Sequence, residues 1–294
     1  MRFRDAVLAA LTSVIWGLAF VATKLGLEGF SASELTGLRF LIACLPVLLV
    51  PRPRITWSRL VLIGMTLFCG QFLLLFFSFK EGMPAGLASV TQQSQAFFTV
   101  LLAAVFLREF PSLRQCCGMT VAFVGLALIG LTVGADLTFA ALGLALAGAF
   151  SWAVGNVLVK RTPEVPVLSL VIWASLVPPL PALLFSGIYD DHLPILGALA
   201  SASWTSLGAA LYLGTIATVV AYAIWGDLLQ RYPAAVVTPF ALLAPCTGVL
   251  SSALIFGEVF EPVRYAGMAL VVAGLAIIVL SEGTRIPDLR QATQ

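Results

Sequence analysis

Three glutamines fall within four positions at Gln92, Gln93 and Gln95, in the stretch TQQSQ that runs from Thr91 to Gln95. An amide carries no charge, yet it presents a carbonyl acceptor and two N–H donors at one site. Such groups suit the reversible capture of a polar head without the cost of burying an ion. Their companions are spaced as on helix faces. At about 100° per residue, Ala85, Ala88, Gln92, Gln95, Thr99 and Ala103 form one stripe, with Val90, Phe97 and Leu101 opposite. Phe68, Gln71, Leu75 and Ser78 share a face in the preceding segment, and Leu211, Thr215, Thr218, Tyr222 and Trp225 do in a later one. Trp16, Phe20 and Lys24 line up near the start, and Trp152, Asn156 and Lys160 in mid-chain. Amides for a polar head and rings for an apolar side chain suit an amphipathic guest. The candidate substrate-binding residues are therefore Trp16, Phe20, Gln71, Gln92, Gln95, Trp152, Asn156 and Tyr222. Gln93 and Ser94 point elsewhere and are read as structural. A competing use of the same amides is adhesion between helices, at roughly 0.6–2 kcal/mol per hydrogen bond.

The segments that must position these residues are made for lipid. The chain has 294 residues, 60 % hydrophobic and 10 % charged, with a mean hydropathy of +1.04. A soluble domain carries about a quarter charged residues. Apolar stretches near the roughly twenty residues needed to cross a bilayer as helix recur along the chain. The predicted spans are 6–25, 32–50, 60–79, 85–106, 113–132, 140–160, 166–185, 207–230, 234–256 and 262–280, giving an all-α polytopic membrane protein of ten transmembrane helices. The longest connection, 186–206, is itself apolar and is expected to form a surface helix or to lengthen the eighth span. The opening MRFRD leads straight into an apolar run with no small-residue cleavage site, so that run is expected to be the first span rather than a signal peptide.

Charge supports the map. Lys and Arg concentrate in cytoplasmic loops. Alternate connections hold Arg2, Arg4, Arg52, Arg54, Arg59, Arg108, Arg114, Lys160, Arg161, Arg231, Arg285 and Arg290, whereas the opposite set holds Lys80 and Arg264. Both termini are therefore predicted to be cytoplasmic. The net charge of +2 gives no reason to expect nucleic acid. Two cations fall within spans. Lys24 lies near an external end, and Arg39 is deeper, where a charge costs about 2.5–3.5 kcal/mol by insertion scales. Both are read as gating or structural charges, with Arg39 expected to pair with helix-end carbonyls or with a carboxylate such as Glu34. Glu109 and Glu258 sit at corresponding span ends and are read as helix caps or tethers. Trp204 and Trp225 are read as interfacial belt residues.

Several chemistries are disfavoured. No Asp or Glu lies near the middle of a span, whereas proton-coupled carriers commonly use one. No Gly-x-x-x-x-Gly-Lys-Ser/Thr stretch binds ATP. Five cysteines and the lone His192 form no disulfide or metal framework. Neither an enzyme nor a metal or cofactor is expected, and the expected partners are a small-molecule substrate and the lipid bilayer, with no obligate protein partner.

The chain also repeats itself. Residues 84–131 align without a gap on 233–280 with thirteen identities, among them Glu109 with Glu258, Gly118 and Met119 with Gly267 and Met268, and Gly125 and Leu126 with Gly274 and Leu275. Trp16 stands eight residues before Lys24, as Trp152 stands before Lys160. Two halves of five helices, 1–134 and 135–294, follow. Because five is odd, the second half enters the membrane from the opposite side. Inverted repeats are a transporter architecture with the substrate near midplane, where the halves meet.

The motifs WGLAFVATK (16–24) and LRFLIA (38–43) resemble the opening helices of EamA-type members of the drug/metabolite transporter superfamily. LREFPSLRQCCGMTVAFVGLALI and FGEVFEPVRYAGMALVVAGLAII resemble the signature that closes each half in that family. The resemblance spans the chain and implies ten helices, an inverted five-plus-five repeat, and export of small metabolites across a bacterial inner membrane. The length and the fourth helix most resemble the YddG branch of aromatic amino-acid exporters. One departure stands out: the family often carries proline in the fourth and ninth helices, but only Pro245 keeps it, its partner being Ala96. The expected function is alternating-access export of neutral, amphipathic metabolites, foremost amino acids with aromatic or other apolar side chains. The rival within the superfamily is a nucleotide-sugar or organophosphate exchanger.

Overall fold

A computed structural model describes residues 1–108, 110–132, 137–162, 165–189, 195–232 and 237–282. Glu109, His192, Arg285, Arg290 and the expected boundary between residues 134 and 135 lie outside the described residues. Those that are described form helices and turns. Seven helices are long and apolar enough to cross a membrane: α1 (Phe3–Gly26), α3 (Trp57–Lys80), α4 (Ala85–Leu107), α5 (Leu113–Leu131), α6 (Phe139–Lys160), α7 (Val167–Ile188) and α8 (Trp204–Leu229). The remaining predicted spans are shorter. Helix α2 (Ala32–Ala43) stops where Pro46 starts a 3-10 turn, Leu45–Leu48. Helices α9 (Phe240–Phe256) and α10 (Pro262–Ile278) are apolar but below full span length among the described residues. A separate short helix, Ile195–Ser201, occupies the connection before α8.

The outer surface is apolar, as lipid contact requires. Leu48 is 93 % exposed, Trp204 90 % and Val105 72 %.

Packing follows a mirrored scheme. Helix α1 lies against α8 and α9, and α6 lies correspondingly against α3 and α4; α2 meets α7, α4 meets α9, and α5 meets α10. The last pair shows its direction through glycines. A Cβ on Gly118 would sit 2.8 Å from Gly274 O, and one on Gly125 would sit 2.6 Å from Gly267 O. The higher-numbered contact on α5 thus meets the lower-numbered one on α10, so the helices run antiparallel with their backbones touching. Small residues allow that approach, and close backbone packing replaces the hydrophobic drive that lipid does not supply.

Three kinds of irregularity recur in matching places. Helix α3 contains a π-helical segment, Gly64–Gly70, and α8 another, Thr215–Val220. Helix α4 slackens at Gln92 and Gln93, where Gln95 N and Ala96 N bond back three residues to Gln92 O and Gln93 O. The aligned part of the second half is a 3-10 turn, Thr238–Leu242, leading into α9. The missing proline at Ala96 therefore does not remove the symmetric break, because Gln92 and Gln93 make it without one. Finally, Gly257 after α9 and Arg108 after α4 both take left-handed backbone, with φ of 65° and 57°.

Replacing Gly125 by Val should lower stability in detergent by about 1–3 kcal/mol through overpacking, read as a lower denaturation midpoint. Gly143, whose added Cβ would meet nothing within 4 Å, is the control, and Gly143→Ala should stay within about 0.5 kcal/mol of the parent.

Candidate functional site

The broken helices decide where polar groups go. Backbone left unbonded within a bilayer costs several kcal/mol per group and is tolerated only inside protein or beside a cavity. Around the break in α4 the local side chains turn inward. Ser94 Oγ donates to Thr91 O at 2.7 Å and Gln93 Nε2 to Ser89 O at 3.4 Å. The π-helical segments, which expose carbonyls out of register, are satisfied by the other half. Trp16 Nε1 donates to Ala217 O at 3.1 Å, and Ser151 Oγ to Thr66 O at 2.7 Å. Nearby, Tyr212 OH donates to Ile15 O at 2.8 Å.

The eight predicted substrate residues lie on α1, α3, α4, α6 and α8, the helices that pack around the join between the halves. They form three groups. Gln95 and Asn156 bond directly, Asn156 Nδ2 donating to Gln95 Oε1 at 3.0 Å and to Thr99 Oγ1 at 3.3 Å. Gln71 and Gln92 are fully buried, and both border Gly148 of α6, Gln71 through its backbone carbonyl and Gln92 through its side-chain amide. A Cβ there would lie 2.9 Å from Gln71 O and 3.5 Å from Gln92 Nε2. Gln92 Nε2 donates to Ala145 O at 3.2 Å, which fixes the amide's orientation because a carbonyl must receive a donor. Oε1 of Gln92 and Oε1 of Gln71 are then buried acceptors with no donor among the described residues. The third group is aromatic: Trp16 meets Tyr222 edge-on at 5.4 Å, and Tyr222 meets Phe68 at 6.3 Å. Phe20 and Trp152 border the main apolar cluster. Trp16, Phe20, Gln95, Trp152, Asn156 and Tyr222 are half-buried.

Trp225 extends one expectation. It packs against Trp16 at 5.2 Å between ring centres, so it joins the aromatic row as well as lying near a span end. Its position on the Tyr222 stripe was the available signal. The row extends through Phe40 and Phe72 (Phe40 to Phe68, 5.1 Å; Phe40 to Phe72, 5.4 Å), which nothing in the sequence marked out from other apolar residues.

Arg39 corrects another. Its expected partner Glu34 instead closes a capping box at the start of α2, accepting from Ser31 N at 2.8 Å. Arg39 Nε donates to Thr218 Oγ1 at 3.0 Å, and its guanidinium lies 3.9 Å from the centre of the Phe72 ring. Glu34 sits one turn from the α2 N-terminus, where free amides and the helix dipole attract its charge. That attraction draws it away from Arg39.

Lys24 closes the far end of α1. Its Nζ lies 2.8 Å from Glu258 Oε1 and over the Phe256 ring. Glu258 also accepts from Ala85 N and Gly86 N, each at 3.0 Å, and from Ser252 Oγ. One carboxylate thereby joins α1, the start of α4 and the end of α9. The left-handed turn at Gly257 is what brings it back over the bundle. The near end of α1 is tied to α8, with Arg231 Nη1 3.2 Å from Asp5 Oδ1 and Tyr232 OH 2.6 Å from Asp5 Oδ2.

Lipid-facing helices in mirrored halves, with amides and aromatic rings gathered at their join, define the class as a multi-span membrane transporter. The EamA-like transporter family profile matches residues 4–131 and again 139–280. A Salmonella typhimurium protein named "Probable amino-acid metabolite efflux pump" is 41 % identical over 284 residues, covering 94 % of this chain and 95 % of that one. An Escherichia coli K12 protein of the same name is 38 % identical with the same coverage. A "Probable terminal-alkyne amino-acid exporter" of Streptantibioticus cattleyicolor is 30 % identical, covering 95 % of this chain and 94 % of that one. One solved crystal structure shares the fold, with a TM-score of 0.66 at 19 % identity over 96 % of this chain and 100 % of the other. The chain belongs to the EamA-like transporter family.

Burial pushes the Glu258 pKa up, but hydrogen bonds from Lys24, Ser252 and the Gly86 and Ala85 amides outweigh it and hold the carboxyl below its ordinary range. A depressed carboxylate stabilises the fold fully above its unfolded pKa of about 4.3, and that contribution disappears as pH falls through the lowered value. The melting temperature should therefore drop on acidification below about pH 4.3, and Glu258→Gln should flatten this component while lowering stability at neutral pH.

Proposed function

We propose that the protein exports small amphipathic metabolites, foremost amino acids with aromatic or other apolar side chains, by alternating access across a bacterial inner membrane. In this reading ten helices form two inverted five-helix repeats, 1–134 and 135–294, with both termini in the cytoplasm. The observation that carries it is the pair of donor-less buried oxygens, Gln71 Oε1 and Gln92 Oε1. A buried acceptor without a donor costs about 1–3 kcal/mol, and the ammonium group of an amino acid carries donors that would satisfy such an oxygen. Trp16, Phe20, Trp152 and Tyr222 take the apolar side chain, and Gln95 with Asn156 borders the path. The names of the 41 % and 38 % identical relatives support the amino-acid class.

The mirrored breaks in α4 and α9 and the mirrored π segments in α3 and α8 supply the hinges. Lys24 with Glu258, and Asp5 with Arg231, act as clasps at the two ends of α1. An exchanger of phosphorylated substrates would want several cations at the join, and Arg39 is the buried one placed there among the described residues.

In proteoliposomes, labelled aromatic and branched amino acids should show saturable flux. Gln92→Leu and Trp152→Ala should each cut it about tenfold, the equivalent of one lost hydrogen bond or ring contact at roughly 1.4 kcal/mol. Flux that does not saturate, or that both variants leave unchanged, would overturn the assignment.

A further inference from the structure

Arg39 is a buried cation whose counter-ion is absent. It is 3 % exposed, and none of the ion pairs among the described residues includes it. Its Nε is spent on Thr218 Oγ1, and Phe72 and Phe40 flank the guanidinium at 3.9 Å and 5.7 Å from their ring centres. Neither Nη1 nor Nη2 has an acceptor among the described residues, and neither is sealed from accessible space.

Aromatic faces soften the cost of burying a cation but leave several kcal/mol uncompensated. Helix α2 carried an acid that could have served, and Glu34 is committed to Ser31 instead. The guanidinium is not isolated from the join between the halves. Phe40, which flanks it, meets Phe68 at 5.1 Å between ring centres, Phe68 meets Tyr222 at 6.3 Å, and Tyr222 stacks edge-on with Trp16. A planar fork of two terminal NH2 groups beside the aromatic row matches a carboxylate, which such a fork binds in bidentate fashion.

We propose that Arg39 receives the carboxylate of the transported molecule, so that the substrate supplies the counter-ion the empty carrier lacks. The amino-acid reading underlies this inference, and the two are separable. An amino acid would present its ammonium to the glutamine oxygens and its carboxylate to Arg39. A substrate lacking the carboxylate would leave the guanidinium as it stands.

The test is ligand-induced thermal stabilisation of the detergent-purified full chain, with four probes that share one side chain: leucine, 4-methylpentanoate, leucinamide and isopentylamine. Leucine and 4-methylpentanoate should bind, and the amide and amine should bind at least about tenfold more weakly, the loss expected for one charge-assisted contact. In Arg39→Gln that preference should vanish, and Arg39→Lys should restore part of it. Because the four probes are compared on the unaltered protein, the result does not hinge on the variants folding. Equal binding of leucine and leucinamide to the unaltered protein would overturn the Arg39 assignment while leaving amino-acid export standing. Binding of 4-methylpentanoate lost in Arg39→Gln, with no response to leucine, would overturn amino-acid export and keep Arg39 as a carboxylate site. No response to any probe would overturn both.

Discussion

A backbone interrupted inside a bilayer has no water to turn to, and this constraint organises the molecule. Helices α3, α4, α8 and α9 all depart from regular α geometry. Each departure frees carbonyls that only protein can satisfy. At α3 and α8 the satisfying groups, Ser151 and Trp16, come from the first helix of the other half. The interruptions in α3 and α8 are therefore also features that hold the halves together. The polar seam follows as a consequence, because hydroxyls and amides had to be gathered there for structural reasons before any of them could serve a ligand.

That shared origin explains the division of labour within TQQSQ. Ser94 and Gln93 answer the local break. Gln95 reaches across to Asn156 on α6, and Gln92 spends its donors on Ala145 and keeps its acceptor. A fully bonded network at the join would resist the entry of any ligand, and these amides leave acceptors open. The charged groups are divided as well. Lys24 and Asp5 form ion pairs at the two ends of α1, and Arg39 lies inside with aromatic rings around it.

Much of this was readable from residue order. The helical spacing put Gln92, Gln95 and Thr99 on one stripe, and the structure turns that stripe toward Asn156. The repeat of Gly118 and Gly125 in Gly267 and Gly274 predicted equivalent helices, and those glycines are where the two backbones come into close contact. Other parts were not readable. Pairing Arg39 with Glu34 assumed that two opposite charges near each other on one helix would meet, but the helix N-terminus competes for the acid. Whether α4 keeps a break without the proline that Ala96 replaces was not readable either; two glutamines and inward-turned hydroxyls mark where it slackens.

Residue order alone determined the solvent, the number of repeats and the periodic faces, because hydropathy and helical pitch are local properties that neighbouring residues set without reference to the rest of the chain. Tertiary structure alone decided which side of each stripe meets which helix, where Glu258 returns to cap α4, and which buried polar atoms remain without partners. Those outcomes depend on distances between segments more than a hundred residues apart, as between Lys24 and Glu258, and on competition among several acceptors for the same donor. Such competition is settled only when the packed backbone fixes who is within reach.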